Sequence, residues 1–304
     1  MINIKDLPDE ELFTAGHTAC PGCGVALVVR NLMKVLGKDT VVYLPANCLL
    51  VFSATYPLDA FKVPYLHLLF ENSAVAAGAI RRALKRLGKE HVNVVALAGD
   101  GGTADIGMQA LSGAAERNED IIYVMVDNEA YMNTGIQRSG STPFGAWTTT
   151  TPVGKKIMGK TEHKKDVMKI MMAHDVPYAA TASPAFPADM LKKFEKAKNK
   201  EGFRFLQIYT TCPTGWRAPS EKTITLAKMA VETGIFPLLE YENGLLTVNY
   251  RPKGKYTLEE YLKIQGRFRH FTPEMVEEVK RWIDMRWKWI RTIEEGQKVV
   301  SGGE

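Results

Sequence analysis

Short apolar runs alternate with helix-like patterns along the first two thirds of the chain. Val92–Ala98 is almost continuously apolar, and a second apolar run follows at Ile121–Val126. Strands that are buried on both faces of a parallel sheet have runs of this kind. A glycine-rich turn at 99–102 lies between the two runs and precedes a helical pattern that reaches Glu116. The alternation predicts a β-α-β unit inside a parallel sheet.

The other strong patterns extend this sheet and cover it with helices. Small and apolar residues recur at helical spacing over Glu71–Leu87, and Gly88 is a typical C-terminal stop. Further predicted elements are a strand at Thr40–Leu44, helices near 162–174 and 187–199, and a strand at Phe203–Tyr209. We therefore predict an α/β fold with an open, mostly parallel sheet and helices on both faces.

The chain beyond the predicted sheet has a different character. Residues 241–271 indicate extended, irregular chain that contains Gly, Pro and Tyr. A long helix then begins, because Thr272 is a suitable N-cap and Pro273 fits the first turn. Its apolar stripe consists of Val276, Val279, Ile283, Trp287 and Ile290. Trp282 and Trp289 lie off this stripe, and we expect them to pack either on the same chain or on a partner subunit. We predict a division into 1–240 and 241–304.

Composition narrows the class of protein. The chain has 304 residues, of which 45% are hydrophobic and 24% charged, as in ordinary globular proteins. Its 39 basic and 34 acidic residues are too nearly balanced to predict a nucleic-acid binder. Every apolar run ends well before the roughly 18 residues that a membrane-spanning helix needs. The N-terminal segment lacks the pattern of a secretory signal, so we expect a cytoplasmic protein that binds no membrane.

Polar residues follow each of the two predicted buried strands. Asp100 lies in the segment Gly99-Asp100-Gly101-Gly102, and Asn128 follows the next strand. Glycines at such a turn allow backbone N–H groups to approach a phosphate, although a plain strand-to-helix turn has the same composition. Because the carboxyl ends of parallel strands meet at one edge, Asp100 and Asn128 are expected to lie together and to offer oxygen ligands to Mg²⁺. The long unpatterned segment Asn128–Lys160 that follows is typical of a functional loop.

The cysteines form a second candidate site. Cys20 and Cys23 make a Cys-x-x-Cys pair, and Cys48 and Cys212 are distant single cysteines. Zinc usually uses compact pairs or recruits His, whereas one pair with two single cysteines fits four thiolates around a [4Fe–4S] cluster. From the residues alone, zinc, a redox pair and inert buried cysteines remain alternatives.

Taken together, the two motifs resemble the β subunit of the 2-oxoacid:ferredoxin oxidoreductases, most closely those that act on pyruvate. The Gly-Asp-Gly turn with an Asn after the next strand is similar to the diphosphate-binding motif of thiamine diphosphate enzymes. The resemblance is carried by the segments GHTACPGCG, GDGGTADIG, DNEAYMNTGIQRSGSTPFGAWTTTTPVGK and TTCPTGW. It implies that 1–240 is the diphosphate half of a thiamine diphosphate-binding fold, with the cysteine pair in its N-terminal segment.

The resemblance also implies roles for individual residues. Mg²⁺ would be bound by Asp100, Asn128 and the carbonyl of Ala130. The thiamine diphosphate would be contacted by Gly99, Gly101, Gly102, Thr103, Asn133, Thr134 and Cys48. One [4Fe–4S] cluster would be held by Cys20, Cys23, Cys48 and Cys212, and Asn133 and Cys48 would be the catalytic residues beside the cofactor. Val25 stands where some relatives carry an acidic residue, which removes one polar contact.

The implied reaction is the oxidation of pyruvate with coenzyme A to acetyl-CoA and CO₂, with electrons passing to ferredoxin. Alternative substrates are a branched-chain 2-oxoacid, 2-oxoglutarate or oxalate, and oxalate would react without coenzyme A. Alternative classes of protein are a non-redox thiamine lyase or synthase and an electron-transfer subunit that binds no thiamine. The chain is too short for a second sheet domain, so an α subunit would supply the pyrimidine-binding domain and its Glu. Subunits of γ and δ type, or fused equivalents, would supply a ferredoxin-like relay.

Overall fold

The computed structural model describes residues 4–57 and 59–301, with side chains up to residue 297. The strands are β1 (Thr40–Tyr43), β2 (Tyr65–Leu66), β3 (Asn93–Gly99), β4 (Ile122–Asp127), β5 (Tyr178–Ala182), β6 (Arg204–Tyr209), β7 (Leu238–Glu242) and β8 (Leu245–Tyr250). The helices are α1 (Gly24–Leu36), α2 (Cys48–Ser53), α3 (Ser73–Arg86), α4 (Met108–Glu116), α5 (Val167–Met172), α6 (Pro187–Asn199), α7 (Pro213–Trp216), α8 (Thr223–Glu232), α9 (Leu258–Lys263) and α10 (Pro273–Ser301). A π-helical turn at Gly102–Ile106 precedes α4.

Over the described residues, eight strands form one sheet in the order β2-β1-β3-β4-β6-β5-β7-β8. The pairs from β2 to β5 are parallel, and the hairpin of β7 and β8 adds to β5 in the antiparallel sense. Side chains of β3 alternate between two apolar clusters, with Ala96 in one and Val95 and Leu97 in the other. The sheet is therefore covered on both faces, and the predicted α/β fold is confirmed.

Several predicted elements are confirmed close to their predicted bounds. The helix predicted at Glu71–Leu87 is α3, and Gly88 follows it with φ 69°, a backbone conformation that favours glycine. The apolar runs Val92–Ala98 and Ile121–Val126 are β3 and β4. The helix predicted near 162–174 is the shorter α5, because Asp166 caps it by accepting a hydrogen bond from the N–H of Lys169.

The prediction of irregular chain over 241–271 is wrong. The residues Asn243 and Gly244, both with positive φ, form the turn between β7 and β8. Helix α9 begins with a capping box, in which Thr257 and Glu260 each bond the backbone N–H of the other. The pattern of β8 misled because it is an edge strand whose side chains are mostly exposed. The strands β5 and β7 and the helices α1 and α8 were also not predicted.

The long C-terminal helix is confirmed as α10. Four residues of its predicted stripe, Val279, Ile283, Trp287 and Ile290, are buried. Trp282 stacks on His163 and Trp289 lies under the ammonium of Lys169, so both contact their own chain. The predicted division at residue 240 falls within β7 and stays a prediction. The outer ends of the two predicted segments, residues 1–3 and 302–304, lie outside the described residues.

Within the described ranges, no helix is both long enough and apolar enough to cross a membrane.

Candidate active site

A cavity of about 200 Å³ opens at the carboxyl edge of the sheet, where β1, β3 and β4 end. Its lining includes nine of the residues expected to contact thiamine diphosphate or its metal: Cys48, Gly99, Asp100, Gly101, Gly102, Asn128, Ala130, Asn133 and Thr134. Sequence reasoning missed the remaining lining residues, which are Pro45, Ala46, Asn47, Leu50, Val51, Phe70, Tyr131 and Met132. They come from helix α2 and from connecting segments whose position depends on the sheet order, which no local pattern reveals.

Three oxygen-bearing groups converge at one end of this cavity. One terminal atom of the Asn128 side-chain amide lies 2.9 Å from the carbonyl oxygen of Ala130 and 3.0 Å from Oδ1 of Asp100. With its nitrogen in that place, the amide donates to both oxygens. With its oxygen there, three acceptor oxygens face one another without a donor between them, which is the environment that a hard cation such as Mg²⁺ requires. The donor set therefore fits the predicted metal.

Asp100 is a buried carboxyl group, with 1% of its surface exposed. Its Oδ2 accepts a hydrogen bond of 2.5 Å from Oγ of Ser139. Burial raises the pKa of Asp100 well above its ordinary value, and the nearby Asp127 raises it further. A divalent cation at this position would compensate the buried negative charge.

The glycine turn is required by close packing as well as by its approach to the cavity. A Cβ atom on Gly101 would lie 2.2 Å from Cε1 of Tyr131, which is far too close. The Tyr131 hydroxyl lies 3.1 Å from the carbonyl oxygen of Gly101 and 3.0 Å from Oδ2 of Asp105. Tyr131 is thus fixed across the turn at the cavity wall.

Thr103 and Thr134 are placed differently from each other. The Thr103 hydroxyl is fully buried and donates to the carbonyl oxygen of Gly99 at 2.7 Å, so only its backbone N–H remains for a phosphate. Thr134 and its neighbour Asn133 are exposed at the cavity, and the Thr134 hydroxyl donates to the side chain of Gln137.

Cys48 is held at the cavity wall by the residue before it. Asn47 caps α2, because its side-chain oxygen accepts from the N–H of Leu50 at 3.0 Å. The Asn47 amide nitrogen donates to the carbonyl oxygen of Leu97 in β3 at 2.9 Å. This pair of bonds fixes the first residue of α2, Cys48, beside the central strand of the site.

The Cys-x-x-Cys turn docks on the loop that carries Cys212. The N–H of Gly24, which directly follows Cys23, donates to the carbonyl oxygen of Thr211 at 3.3 Å. Gly24 has little free space, since a Cβ atom would lie 3.2 Å from the nitrogen of Thr211. Sγ of Cys212 accepts from the N–H of Gly215 at 3.3 Å. The structure therefore brings together cysteines that are far apart in sequence.

All four cysteines are free thiols. Burial, together with the smaller effects of Cys212 and Cys23, raises the pKa of Cys48 to about 12. Burial also raises the pKa of Cys212 to about 11. Over the part of the chain that the structure describes, no three His, Cys, Asp or Glu side chains stand close enough to share one metal ion.

A buried charge network supports the loop that holds Asn128 and Ala130. Glu129, which lies between them, has φ 69° and is 3% exposed. Its carboxylate binds Nζ of Lys164 at 2.9 Å and Nη2 of Arg267 at 2.5 Å. Burial raises the pKa of Glu129, but the two cations outweigh this effect and lower it below its ordinary value. Sequence reasoning missed Lys164 and Arg267, because no local pattern marks a lysine or arginine as buried.

Comparisons with known proteins show the family to which the chain belongs. Residues 48–208 match the family described as thiamine pyrophosphate enzyme, C-terminal TPP binding domain. The chain is 50% identical over 292 residues to pyruvate synthase subunit PorB of Methanocaldococcus jannaschii, covering 94% of this chain and 98% of that one. It is 49% identical over 296 residues to ketoisovalerate oxidoreductase subunit VorB of Pyrococcus abyssi, covering 95% of each.

A solved structure supports the fold independently. The 2-oxoglutarate:ferredoxin oxidoreductase from Magnetococcus marinus superimposes with a TM-score of 0.55 at 19% identity, over 92% of this chain and 89% of that one. At this identity the likeness shows the fold alone. The relatives and the matched domain confirm the resemblance found in the sequence, and the chain belongs to the family of thiamine-dependent 2-oxoacid:ferredoxin oxidoreductase β subunits that includes PorB and VorB.

Proposed function

We propose that this chain binds thiamine diphosphate through Mg²⁺, carries one [4Fe–4S] cluster, and serves the oxidation of pyruvate by coenzyme A. The reaction converts pyruvate and coenzyme A into acetyl-CoA, CO₂, one proton and two electrons, and two oxidised ferredoxins each take up one electron. The relatives named pyruvate synthase subunit PorB support pyruvate as the substrate. The observation that carries the proposal is the convergence of the Asp100 carboxylate, the Asn128 side-chain amide and the Ala130 carbonyl at the end of the cavity.

In this proposal the chain's own residues bind and orient the cofactor. Asp100, Asn128 and the Ala130 carbonyl hold Mg²⁺, and the backbone N–H groups of Gly101 and Gly102 face the diphosphate. When bound, thiamine diphosphate supplies the carbanion that attacks the keto carbon of a 2-oxoacid and takes up the electron pair released with CO₂.

Other residues that line the cavity have different roles. The Asn133 amide, which has no hydrogen-bond partner among the described residues, is available to orient the reacting groups. The apolar side chains of Leu50, Val51, Phe70 and Met132 exclude water from the cavity.

The four cysteines would hold the cluster beside this cavity. Cys48 lines the cavity, and the lining residue Met132 packs on Gly215, three residues after Cys212. Burial and the neighbouring thiols raise the pKa of Cys48, which supports the four cysteines as neighbours, and four thiolates match the ligand count of one [4Fe–4S] cluster. When bound, the cluster accepts electrons one at a time.

A branched-chain 2-oxoacid is the second candidate substrate. The VorB relative is 49% identical, almost as similar as the PorB relative at 50%. Side-chain selectivity depends on the shape of the cavity, to which the partner subunit would contribute.

We further propose that this chain works as one subunit of a cytoplasmic complex. Its relatives are named as subunits, and the described residues form a single sheet, with no second sheet domain to supply the pyrimidine-binding Glu. Large apolar side chains are exposed between residues 51 and 75, a segment that includes the cavity wall: Val51, Tyr56, Leu66, Leu68, Leu69 and Val75. Such a patch suits the docking of an α subunit. The γ- and δ-type subunits would carry the electrons onward to ferredoxin.

The test is dye reduction by the native complex, purified without oxygen. We expect viologen reduction that requires both coenzyme A and a 2-oxoacid, with pyruvate the best of a panel that includes branched-chain oxoacids, 2-oxoglutarate and oxalate. Preference for a branched-chain oxoacid would favour the second candidate. Decarboxylation of pyruvate without dye reduction would contradict the redox proposal and indicate a non-redox thiamine enzyme.

A further inference from the structure

Arg267 contacts both of the loops on which the proposed function rests. It is 2% exposed and lies in the segment between α9 and α10. Its guanidinium contacts the cofactor loop, residues 127–130, and also the cysteine turn, residues 212–216. The metal ligands and Cys212 come from parts of the chain that are far from Arg267 in sequence.

The contact with the cofactor loop is a buried ion pair. Nη2 of Arg267 donates to Oε2 of Glu129 at 2.5 Å, and Nε donates to Oε1 of Gln265 at 2.9 Å. Glu129 sits between the two proposed metal ligands with φ 69°, a conformation that is sparsely populated for residues with a side chain. Such a conformation persists only when its surroundings hold it, and the ion pair does so here.

The contact with the cysteine turn is a stacking interaction with an aromatic ring. The Arg267 guanidinium carbon lies 4.0 Å from the centroid of the Trp216 ring. Trp216 is fully buried, and its Nε1 donates to the carbonyl oxygen of Asn128 at 2.9 Å. One guanidinium therefore fixes Glu129 directly and Asn128 through Trp216, while Trp216 ends the helical turn that Cys212 caps.

We propose that Arg267 is a positioning residue that holds Asn128 and Ala130 in place for Mg²⁺ and ties the cofactor loop to the cysteine turn. A planar guanidinium is needed, because it can donate to a carboxylate in its plane while stacking on a ring with its face. Lysine at this position keeps the charge but loses the stacking. The inference rests on the proposed function, and its test separates the two.

The test measures binding of thiamine diphosphate and Mg²⁺ by titration calorimetry. The complex is isolated without oxygen from cells that express the full-length chain, and bound Mg²⁺ is removed by chelation. Arg267→Met should raise the dissociation constant by about 10- to 100-fold, the usual effect of removing a group that orients metal ligands. Arg267→Lys should recover part of the affinity. Trp216→Phe, which keeps the ring but removes the donor to Asn128, should weaken binding in the same direction.

Arg204→Met is the matched control. Arg204 is also buried, at 4% exposure, and pairs with Asp120, but it begins β6 at the opposite edge of the sheet. It should lower stability without changing the affinity for thiamine diphosphate. Equal affinity losses for Arg204→Met and Arg267→Met would overturn the inference, because both would then reflect general destabilisation.

Asp100→Asn separates failure of the inference from failure of the proposed function. If the wild-type complex binds thiamine diphosphate and Asp100→Asn does not, the proposed site stands. Unchanged affinity of Arg267→Met in that case would refute the positioning role alone. If the wild-type complex itself binds no thiamine diphosphate, the proposed function fails and the inference with it.

Discussion

Glu129→Gln is the substitution that tests the buried charge network most directly. It removes one negative charge from between Lys164 and Arg267 and leaves the volume of the side chain unchanged. Lys164 keeps a second carboxylate, Oδ2 of Asp127 at 3.2 Å. Arg267 keeps the neutral side chain of Gln265 and its contacts with the rings of Trp216 and Phe268, none of which carries a negative charge. The substitution therefore leaves one buried cation without an anionic partner.

The expected loss of stability follows from this count of partners. Removing one member of a buried ion pair costs about 3–5 kcal/mol, because the other charge stays buried and unpaired. Glutamine can still accept one hydrogen bond, so we expect the lower end, about 3 kcal/mol. At about 2–4 °C per kcal/mol for a large domain, the melting temperature should fall by about 6–12 °C.

Glu232→Gln is the matched control for this experiment. Glu232 is also buried, at 4% exposure, but its carboxylate accepts from neutral donors, the Tyr250 hydroxyl at 2.6 Å and the N–H of Lys253 at 3.2 Å. Its substitution leaves no cation unpaired and should cost about 1 kcal/mol. Urea unfolding of the full chain measures both variants. Equal losses for the two would refute the reasoning, as would additive losses in the double variant Glu129→Gln/Arg267→Met, since partners in contact should show non-additivity.

The remaining predictions concern metal, cluster, pH and assembly. Asp100→Asn should abolish tight binding of Mg²⁺ and thiamine diphosphate while the circular dichroism spectrum is retained, and full cofactor occupancy would contradict the metal assignment. Protein prepared without oxygen should contain four irons and four sulfides, because four thiolates hold one cubane cluster. The variant Cys212→Ala should lose iron in air and fail to reduce ferredoxin. Stoichiometric zinc without iron in the wild type would contradict the cluster assignment. Burial raises the pKa of Glu129, but the two cations outweigh this effect and lower the pKa in the folded state. The ionised Glu129 therefore contributes its full stabilisation above about pH 4.5, and this contribution is lost as the pH falls through the lowered pKa. The difference in melting temperature between wild type and Glu129→Gln should shrink only in that acidic range. The isolated chain, reconstituted with all three cofactors, should not reduce viologen with pyruvate, and rapid turnover would show that no partner Glu is needed.

The sequence was most informative where a single physical requirement dominates. A strand buried on both faces must be apolar throughout, so β3 and β4 were evident from their composition. The position of Asp100 and Asn128 followed from these strands, because the carboxyl ends of neighbouring parallel strands share an edge. The stripe of α10 was evident for a similar reason, since one face of a long helix must be buried.

The missed features depend on tertiary contacts. Strand β8 is an edge strand with mostly exposed side chains, so its composition resembles that of a loop. The partners of Glu129 come from Lys164 and Arg267, and nothing local distinguishes these from the many solvated lysines and arginines. The docking of the Cys-x-x-Cys turn on Thr211 likewise joins segments that only the completed sheet brings together.

The C-terminal segment supports the candidate site from two directions. Arg267 holds the cofactor loop at Glu129, and Arg286 of α10 pairs at 3.1 Å with Asp166, the N-cap of α5. Lys164, the other cation on Glu129, lies two residues before Asp166, so α10 anchors the short segment that carries it. A boundary at residue 240 would separate Glu129 from one of its cations and remove the support of the other. The segment after β7 therefore supports the geometry of the proposed metal ligands Asn128 and Ala130, although it contributes none of the proposed ligands itself.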